Sequence, residues 1–260
     1  MDMHETILAE LGKIECQNSV RVLHAVESGS RAWGFASPDS DYDVRFVYVR
    51  PAADYLRLDT PRDVIEWKLD EILDINGWDL QKALRQFARG NATLFEWSES
   101  PVIYKTTDEW KQIRETAKAY FSEKAAIHHY YGTAMKTWCE YLQGDTVRYK
   151  KYFYALRPLL AAQYIERFHT VPPVLFDDLL KMEMDPALRS AIDDLLEIKK
   201  TTTEGEQYPP VPIIQDFIQK ELLNQKTICD NWPDDRNNNW AMLNSCFSEM
   251  IGITIDSATL

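Results

Sequence analysis

Gly29-Ser30-Arg31-Ala32-Trp33-Gly34-Phe35, followed by Asp39-Ser40-Asp41-Tyr42-Asp43-Val44, sets a Gly-Ser turn before carboxylates spaced one residue apart. From Asp41 onward two parities separate. Tyr42, Val44, Phe46 and Tyr48 fall on one, and Asp41, Asp43, Arg45 and Val47 on the other. A period of two belongs to a strand with two unlike faces. One face is apolar and suits a core. The other carries both aspartates, side by side and pointing the same way. Neighbouring like charges are costly unless a cation lies between them, and a hard cation such as Mg²⁺ prefers carboxylate oxygens. By itself an Asp-x-Asp is more plainly a solvated turn that opens an edge strand. The Gly-Ser before it argues for more. Val20 to Val26 is a β-rich run, Gly29-Ser30 the turn that ends it, and a short helix is expected from Arg31. Glycine lets backbone approach a phosphate closely, amides at a helix N-terminus attract anions, and a serine hydroxyl donates to the same group.

The spacing G-S-x(10)-D-x-D resembles that of the nucleotidyltransferases of the DNA polymerase β superfamily. The fuller string GSRAWGFASPDSDYDV is similar to one branch, the family named for an RNA-repair nucleotidyltransferase. Gly77-Trp78-Asp79-Leu80-Gln81-Lys82, Gly90-Asn91, Glu96-Trp97 and the run from Tyr152 to Pro158 share that likeness. It covers residues 20 to 160 well and the last hundred residues only loosely. The resemblance implies metal-dependent transfer of a nucleoside monophosphate from an NTP to an acceptor hydroxyl, with release of pyrophosphate. Mg²⁺ or Mn²⁺ is the expected cofactor. In such a site two metal ions about 3.5–4 Å apart clamp the attacking and leaving oxygens. Asp41 and Asp43 would bind both metals, and Gly29 and Ser30, with Arg31, would hold the β and γ phosphates. The family name points to an RNA end as acceptor, such as that of a tRNA. A protein or small-molecule hydroxyl is the alternative acceptor. A non-catalytic nucleotide-binding or antitoxin-like module is the contrasting class, and intact Gly29-Ser30 and Asp41-x-Asp43 speak against it.

A third carboxylate is also implied. Asp63 to Ile75 reads as one or two strands, Val64 to Trp67 and Ile72 to Ile75. A helix follows, with Leu80, Ala83, Leu84, Phe87 and Ala88 on one face and Gly90 at its stop. Asp74, at a strand end just before the helix, is the preferred third metal-site acid, and Asp70 and Asp79 are its rivals. Asn76 with Asp79 resembles a helix cap, which would make Asp79 structural. Lys82 on the helix either faces phosphate or is a solvated charge.

The chain has 260 residues, 45% of them hydrophobic, and a formal net charge of −12. That suits one large domain or two small ones. It disfavours broad nucleic-acid binding, which needs many cationic phosphate contacts. A local groove remains open to it. Arg148, Lys150, Lys151 and Arg157 lie among Tyr149, Tyr152, Phe153 and Tyr154. Such a mixture can hold triphosphate oxygens and stack a base. The plainer alternative is a helix with its aromatics in the core and its cations in water. Lys199, Lys200 and Glu206 pose the same choice between substrate contact and a solvated helix end. No run is long and apolar enough for a membrane helix, and the N-terminus does not read as a signal peptide. A cytoplasmic enzyme is therefore expected. The cysteines at 16, 139, 229 and 246 form no metal pattern and read as reduced, buried thiols. His4, His24, His128, His129 and His169 do not form a zinc set.

Near residue 105 the texture changes from short β-like runs to helical periodicity. The expected architecture is α/β (α+β). Residues 1–105 would form a small mixed-sheet nucleotidyltransferase domain, and 106–260 a helical domain closing the nucleotide and acceptor cleft. Helices are expected from Ser122 to Gln143, Thr146 to Phe168 with Pro158 a kink or break, Asp185-Pro186 to Lys199, Ile213 to Cys229, and a last one to Ile251.

Overall fold

The computed structural model describes residues 2–37, 40–70, 72–201 and 206–253. Asp39 of the opening motif, the middle of the 201–212 loop and the last seven residues lie outside that set, as does the Lys200 side chain. The chain divides into two compact units, Met1–Ala32 with Asp41–Phe121 and Arg236–Leu260, and Trp33–Ser40 with Ser122–Asp235.

The first unit begins with α1 (Met3–Asn18) and β1 (Arg21–Glu27). The Gly-Ser turn follows as a single helical turn, α2 (Gly29–Ala32), which starts two residues before the expected Arg31. Next come β2 (Tyr42–Val49), α3 (Ala52–Tyr55), β3 (Val64–Leu69), β4 (Leu73–Asp79), α4 (Leu80–Ala88), α5 (Ala92–Ser98), β5 (Ile103–Thr106) and α6 (Asp108–Ala117). The five strands form one mixed sheet in the order β3-β4-β2-β1-β5, in which only β2 and β4 run parallel. The apolar parity of β2 enters the core as its period requires. Val44, Phe46 and Tyr48 are buried in one cluster with Ile7, Leu11 and Ile14 of α1 and with Leu73 and Ile75 of β4.

Strand β4 runs on to Asp79, past the strand end expected at Ile75. Asn76 and Gly77 are strand residues, and Asp79 itself caps α4, its carboxylate accepting from the Gln81 N–H at 2.8 Å. The reason is a close packing that local propensity does not show. A Cβ on Gly77 would lie 2.2 Å from the Phe46 ring, so glycine here makes room for a core aromatic on the adjacent strand. The helix that follows buries Leu80, Ala83, Leu84 and Phe87 as its periodicity demands, and Gly90 takes a φ of +70° at its stop. Helix α6 follows β5 directly and packs on β1, and the chain returns at its C-terminal end through α12 (Ala241–Met250), which lies on α4 and α6.

The second unit is helical: α7 (Glu123–Tyr141), α8 (Tyr149–Phe168), α9 (Phe176–Leu179), α10 (Pro186–Thr201) and α11 (Pro212–Asn231). Ser122 caps α7 through the Ala125 N–H at 3.1 Å, and Asp185 caps α10 through the Ala187 N–H at 2.7 Å. Helix α8 passes through Pro158 without a break. It starts later than expected because Val147 exchanges both backbone hydrogen bonds with Tyr208, each 2.9 Å. The Trp33–Ser40 segment belongs to this unit. Phe35 packs on Phe153 and Phe176, and the Phe176 N–H donates to the Trp33 carbonyl at 2.9 Å. Lys199 is neither a substrate contact nor a solvated end. It is buried and donates to the Phe35 carbonyl and, at 3.1 Å, to the Ser37 hydroxyl.

All four cysteines are free thiols, but Cys16 and Cys139 are exposed, because the buried face of each helix is filled by other residues. Among the described residues no helix is long and apolar enough to cross a membrane.

His24 on β1 is buried and stacks on Trp110 of α6 at 4.9 Å. Its Nε2–H donates to the Trp97 carbonyl at 3.2 Å, which leaves Nδ1 to accept from the Thr106 hydroxyl at 3.1 Å. Burial pushes its pKa down to about 4. Between pH 6.5 and about 4 the unfolded chain therefore takes up a proton that the folded chain refuses, and stability is lost as pH falls through that window. The loss is on the order of 3 kcal/mol. Burial raises the Glu27, Asp43 and Asp79 carboxyls and gives a trend of opposite sign. It is common to any two proteins that differ only at His24. Urea unfolding from pH 7 to 4 should show wild type losing more stability than His24→Gln, and parallel curves would contradict this account.

Candidate active site

The parallel pairing of β2 with β4 sets the register Asp43↔Asp74. The β4 burial pattern alternates, so Asp74, Asn76 and Trp78 share a face while Leu73, Ile75, Gly77 and Asp79 share the other. Asp74 is the second residue of β4, at the start of the strand. Of the three acids considered, it alone faces Asp43. Asp70 is exposed and closes the β3–β4 turn, accepting from the Ile72 and Leu73 N–H groups at 3.0 and 2.8 Å. Asp79 is buried at the far end of β4, where Tyr55 donates to it at 2.9 Å.

Between Asp43 and Asp74 lies Arg45. Its Nη2 donates to Asp43 Oδ1 at 2.8 Å and to Asp74 Oδ2 at 2.7 Å, while Nη1 donates to the Val44 and Asp74 carbonyls, each at 3.1 Å. The pair is part-buried. Burial pushes the Asp43 carboxyl above its ordinary range, Arg45 opposes that, and the Asp41 and Asp74 charges reinforce it. Asp41 is exposed and stands just before β2 rather than within it. Its carbonyl accepts from Arg31 Nε at 3.0 Å, and the Arg31 guanidinium lies 3.7 Å from the Tyr42 ring centre.

The Gly-Ser turn sits against these acids. Gly29 has a φ of +61°, and a Cβ on it would stand 2.3 Å from Asp43 Oδ2. The Ser28 N–H donates to the Asp43 carbonyl at 2.8 Å, and Ser30 is buried. Glu27, buried on β1, accepts from the Asp43 N–H at 2.7 Å and from the Tyr104 hydroxyl. Arg45 and Glu27 are neighbours of these acids that the motif alone did not single out. The period of two had placed Arg45 on the Asp43 face, but nothing in the sequence pointed to Glu27.

The remaining basic residues have local partners. Lys82 pairs with Asp63 at 3.1 Å and lies over Trp78. Lys151 lies 3.9 Å from the Tyr141 ring centre, near the start of α8, and Lys150 precedes it. Arg157 is buried, contrary to an open cationic face. It donates to the Val174 carbonyl at 3.1 Å and stacks on Trp33. Tyr152 and Phe153 beside it fill the helical core.

Among the described residues no set of three or more His, Cys, Asp and Glu side chains is gathered as a metal cage. The Asp43–Asp74 pair nevertheless fits a hard cation in donor chemistry, since two carboxylates converge on one cationic nitrogen.

A mixed sheet bearing a Gly-Ser turn against paired aspartates suits a nucleotidyltransferase of the polymerase β type. The sequence model of the family described as RlaP, RNA repair pathway DNA polymerase beta family, matches residues 3–249, and the chain belongs to that family. It is 42% identical over 224 residues to a protein of Bacillus subtilis (strain 168) described as "Uncharacterized protein YcgL", covering 85% of each chain. It also aligns with a solved nucleotidyltransferase-like protein from Exiguobacterium sibiricum 255-15. That alignment has a TM-score of 0.30 and 10% identity, over 94% of this chain and 79% of the other.

Gly29→Ala should cost about 1–2 kcal/mol from left-handed backbone alone and should also displace the Asp43 carboxylate. Urea unfolding measures the first effect, and wild-type stability would contradict the close packing described here.

Proposed function

We propose that this protein transfers a nucleoside monophosphate from an NTP to the hydroxyl of an RNA end. The observation that carries the reading is the convergence of Asp43 and Asp74 beside the Gly29 turn, in a chain of this family. The acceptor oxygen attacks the α-phosphorus, the bond to the β-phosphate bridging oxygen breaks, and pyrophosphate leaves. Divalent metal, when bound, neutralises triphosphate charge and lowers the pKa of the attacking hydroxyl. Asp41, Asp43 and Asp74 supply the oxygens to hold it, and Asp74 also assists removal of the acceptor proton. Gly29 leaves space for phosphate approach, and Ser30 and Arg31 supply donors to the β and γ phosphates. Lys150 and Lys151 add cationic contacts to the triphosphate or the acceptor. Transfer of this type depends on positioning and charge neutralisation more than on a covalent residue.

The test is incubation with each α-labelled NTP, Mg²⁺ or Mn²⁺, and total RNA and protein. Labelled RNA supports the proposal, labelled protein replaces the acceptor, and no label in either removes the activity. Asp43→Asn and Asp74→Asn should each lower turnover by about 10²–10³, as expected for loss of a key electrostatic group. Asp79→Asn should instead cost a little helix stability and keep activity, since asparagine also caps. Turnover lost in the Asp79 variant and kept in the Asp74 variant would reverse the assignment. Changing Lys150 and Lys151 together to Gln should raise KM for NTP or acceptor and flatten its salt dependence. Unchanged titrations at low and moderate salt would leave both lysines as scaffold.

A further inference from the structure

We propose that Arg45 is a resident cation of the site, which divalent metal must displace to bind. This rests on the reading of Asp43 and Asp74 as metal ligands. One guanidinium nitrogen is within 2.8 Å of Asp43 Oδ1 and 2.7 Å of Asp74 Oδ2, so it engages a lone pair of each carboxylate that a metal would use. The second nitrogen is anchored on the Val44 and Asp74 carbonyls, and the side chain is only 18% exposed. The arginine is therefore held by four hydrogen bonds in one place. The backbone selects it for that place. Arg45 is two residues from Asp43 and shares its strand face, and the parallel register puts Asp74 directly opposite.

A guanidinium does not lose its proton in a protein, so it cannot make way by neutralising. A divalent ion on the same two carboxylates meets a positive charge at hydrogen-bond range and is repelled by it. The arginine must swing away, and its contribution to holding the two acids together passes to the metal. Two consequences follow. Without metal, Arg45 suppresses the repulsion between Asp43 and Asp74 and keeps the site assembled. Metal by itself binds weakly, and metal carried by a triphosphate binds better, because the phosphate oxygens add ligands that offset the loss of the arginine contacts.

The experiment compares Mn²⁺ binding by calorimetry and by electron paramagnetic resonance in wild type, Arg45→Gln and Arg45→Lys, without nucleotide. Arg45→Gln should bind Mn²⁺ at least about tenfold more tightly than wild type, since a repelling charge is gone. It should also melt at lower temperature in EDTA and regain that loss with Mn²⁺. Arg45→Lys keeps the charge and should stay near wild type. Equal or weaker Mn²⁺ binding by Arg45→Gln overturns the exchange while leaving the metal ligands in place. Absence of Mn²⁺ binding in every variant, with and without NTP, overturns the metal-site reading and the exchange with it. In wild type, the Arg45 side-chain NMR signal, assigned by its loss in Arg45→Lys, should be protected from solvent exchange in EDTA and lose that protection on saturation with Mg²⁺. A signal that does not change overturns the exchange even if Arg45→Gln does not fold.

Discussion

Two carboxylates held face to face on neighbouring parallel strands repel each other, and the sheet must offset that repulsion. Parallel pairing of β2 with β4 brings Asp43 opposite Asp74, and burial makes the Asp43 charge harder to carry. Arg45 offsets it with one nitrogen shared between both acids. Under the function proposed above, the same carboxylate oxygens would attract divalent cations. A glycine turn stands directly beside Asp43.

The acids are positioned through their backbone as much as through their side chains. Glu27 holds the Asp43 N–H, and the Ser28 N–H holds its carbonyl, so both peptide groups flanking the Asp43 Cα are tied to the end of β1. Gly29 then passes within a distance of Asp43 that no side chain tolerates. The Gly-Ser turn and the Asp-x-Asp are thus not two adjacent features but one packed object. The segment between them, by contrast, is seated in the helical unit by Phe35, Trp33 and the buried Lys199 and Arg157. Two of the cations that read as candidates for solvent or substrate are spent on that seating.

Local signals made much of this legible. The parity of residues 42 to 48 identified the core face of β2, the 80–88 stripe identified the buried face of α4, and Ser122, Asp185 and Gly90 marked helix ends by side-chain chemistry that acts within four residues. Those readings depend on spacing along one element, which the chain carries in its own order. Asp74 was legible as an acid near a strand, but its partnership with Asp43 was not, because it depends on a strand register between residues far apart in the chain. Asn76, read with Asp79 as a helix cap, misled for the same reason. A glycine after an asparagine looks like the end of a strand, and only the Phe46 ring on the next strand explains why the strand continues through it.

Residue type and short spacing are enough to give the family, the Gly-Ser and Asp-x-Asp pair, and the alternation that puts Arg45 on the acidic face. The folded chain is needed to show which acid stands opposite Asp43, that Arg45 bridges the two, that Glu27 holds the Asp43 backbone, and that Arg157 and Lys199 are buried. These are questions of which side chains meet across elements. A charge on a helix face has the same local signature whether it ends in water or in a core, and what separates the two outcomes is the carbonyls and aromatic rings that distant parts of the chain bring to meet it.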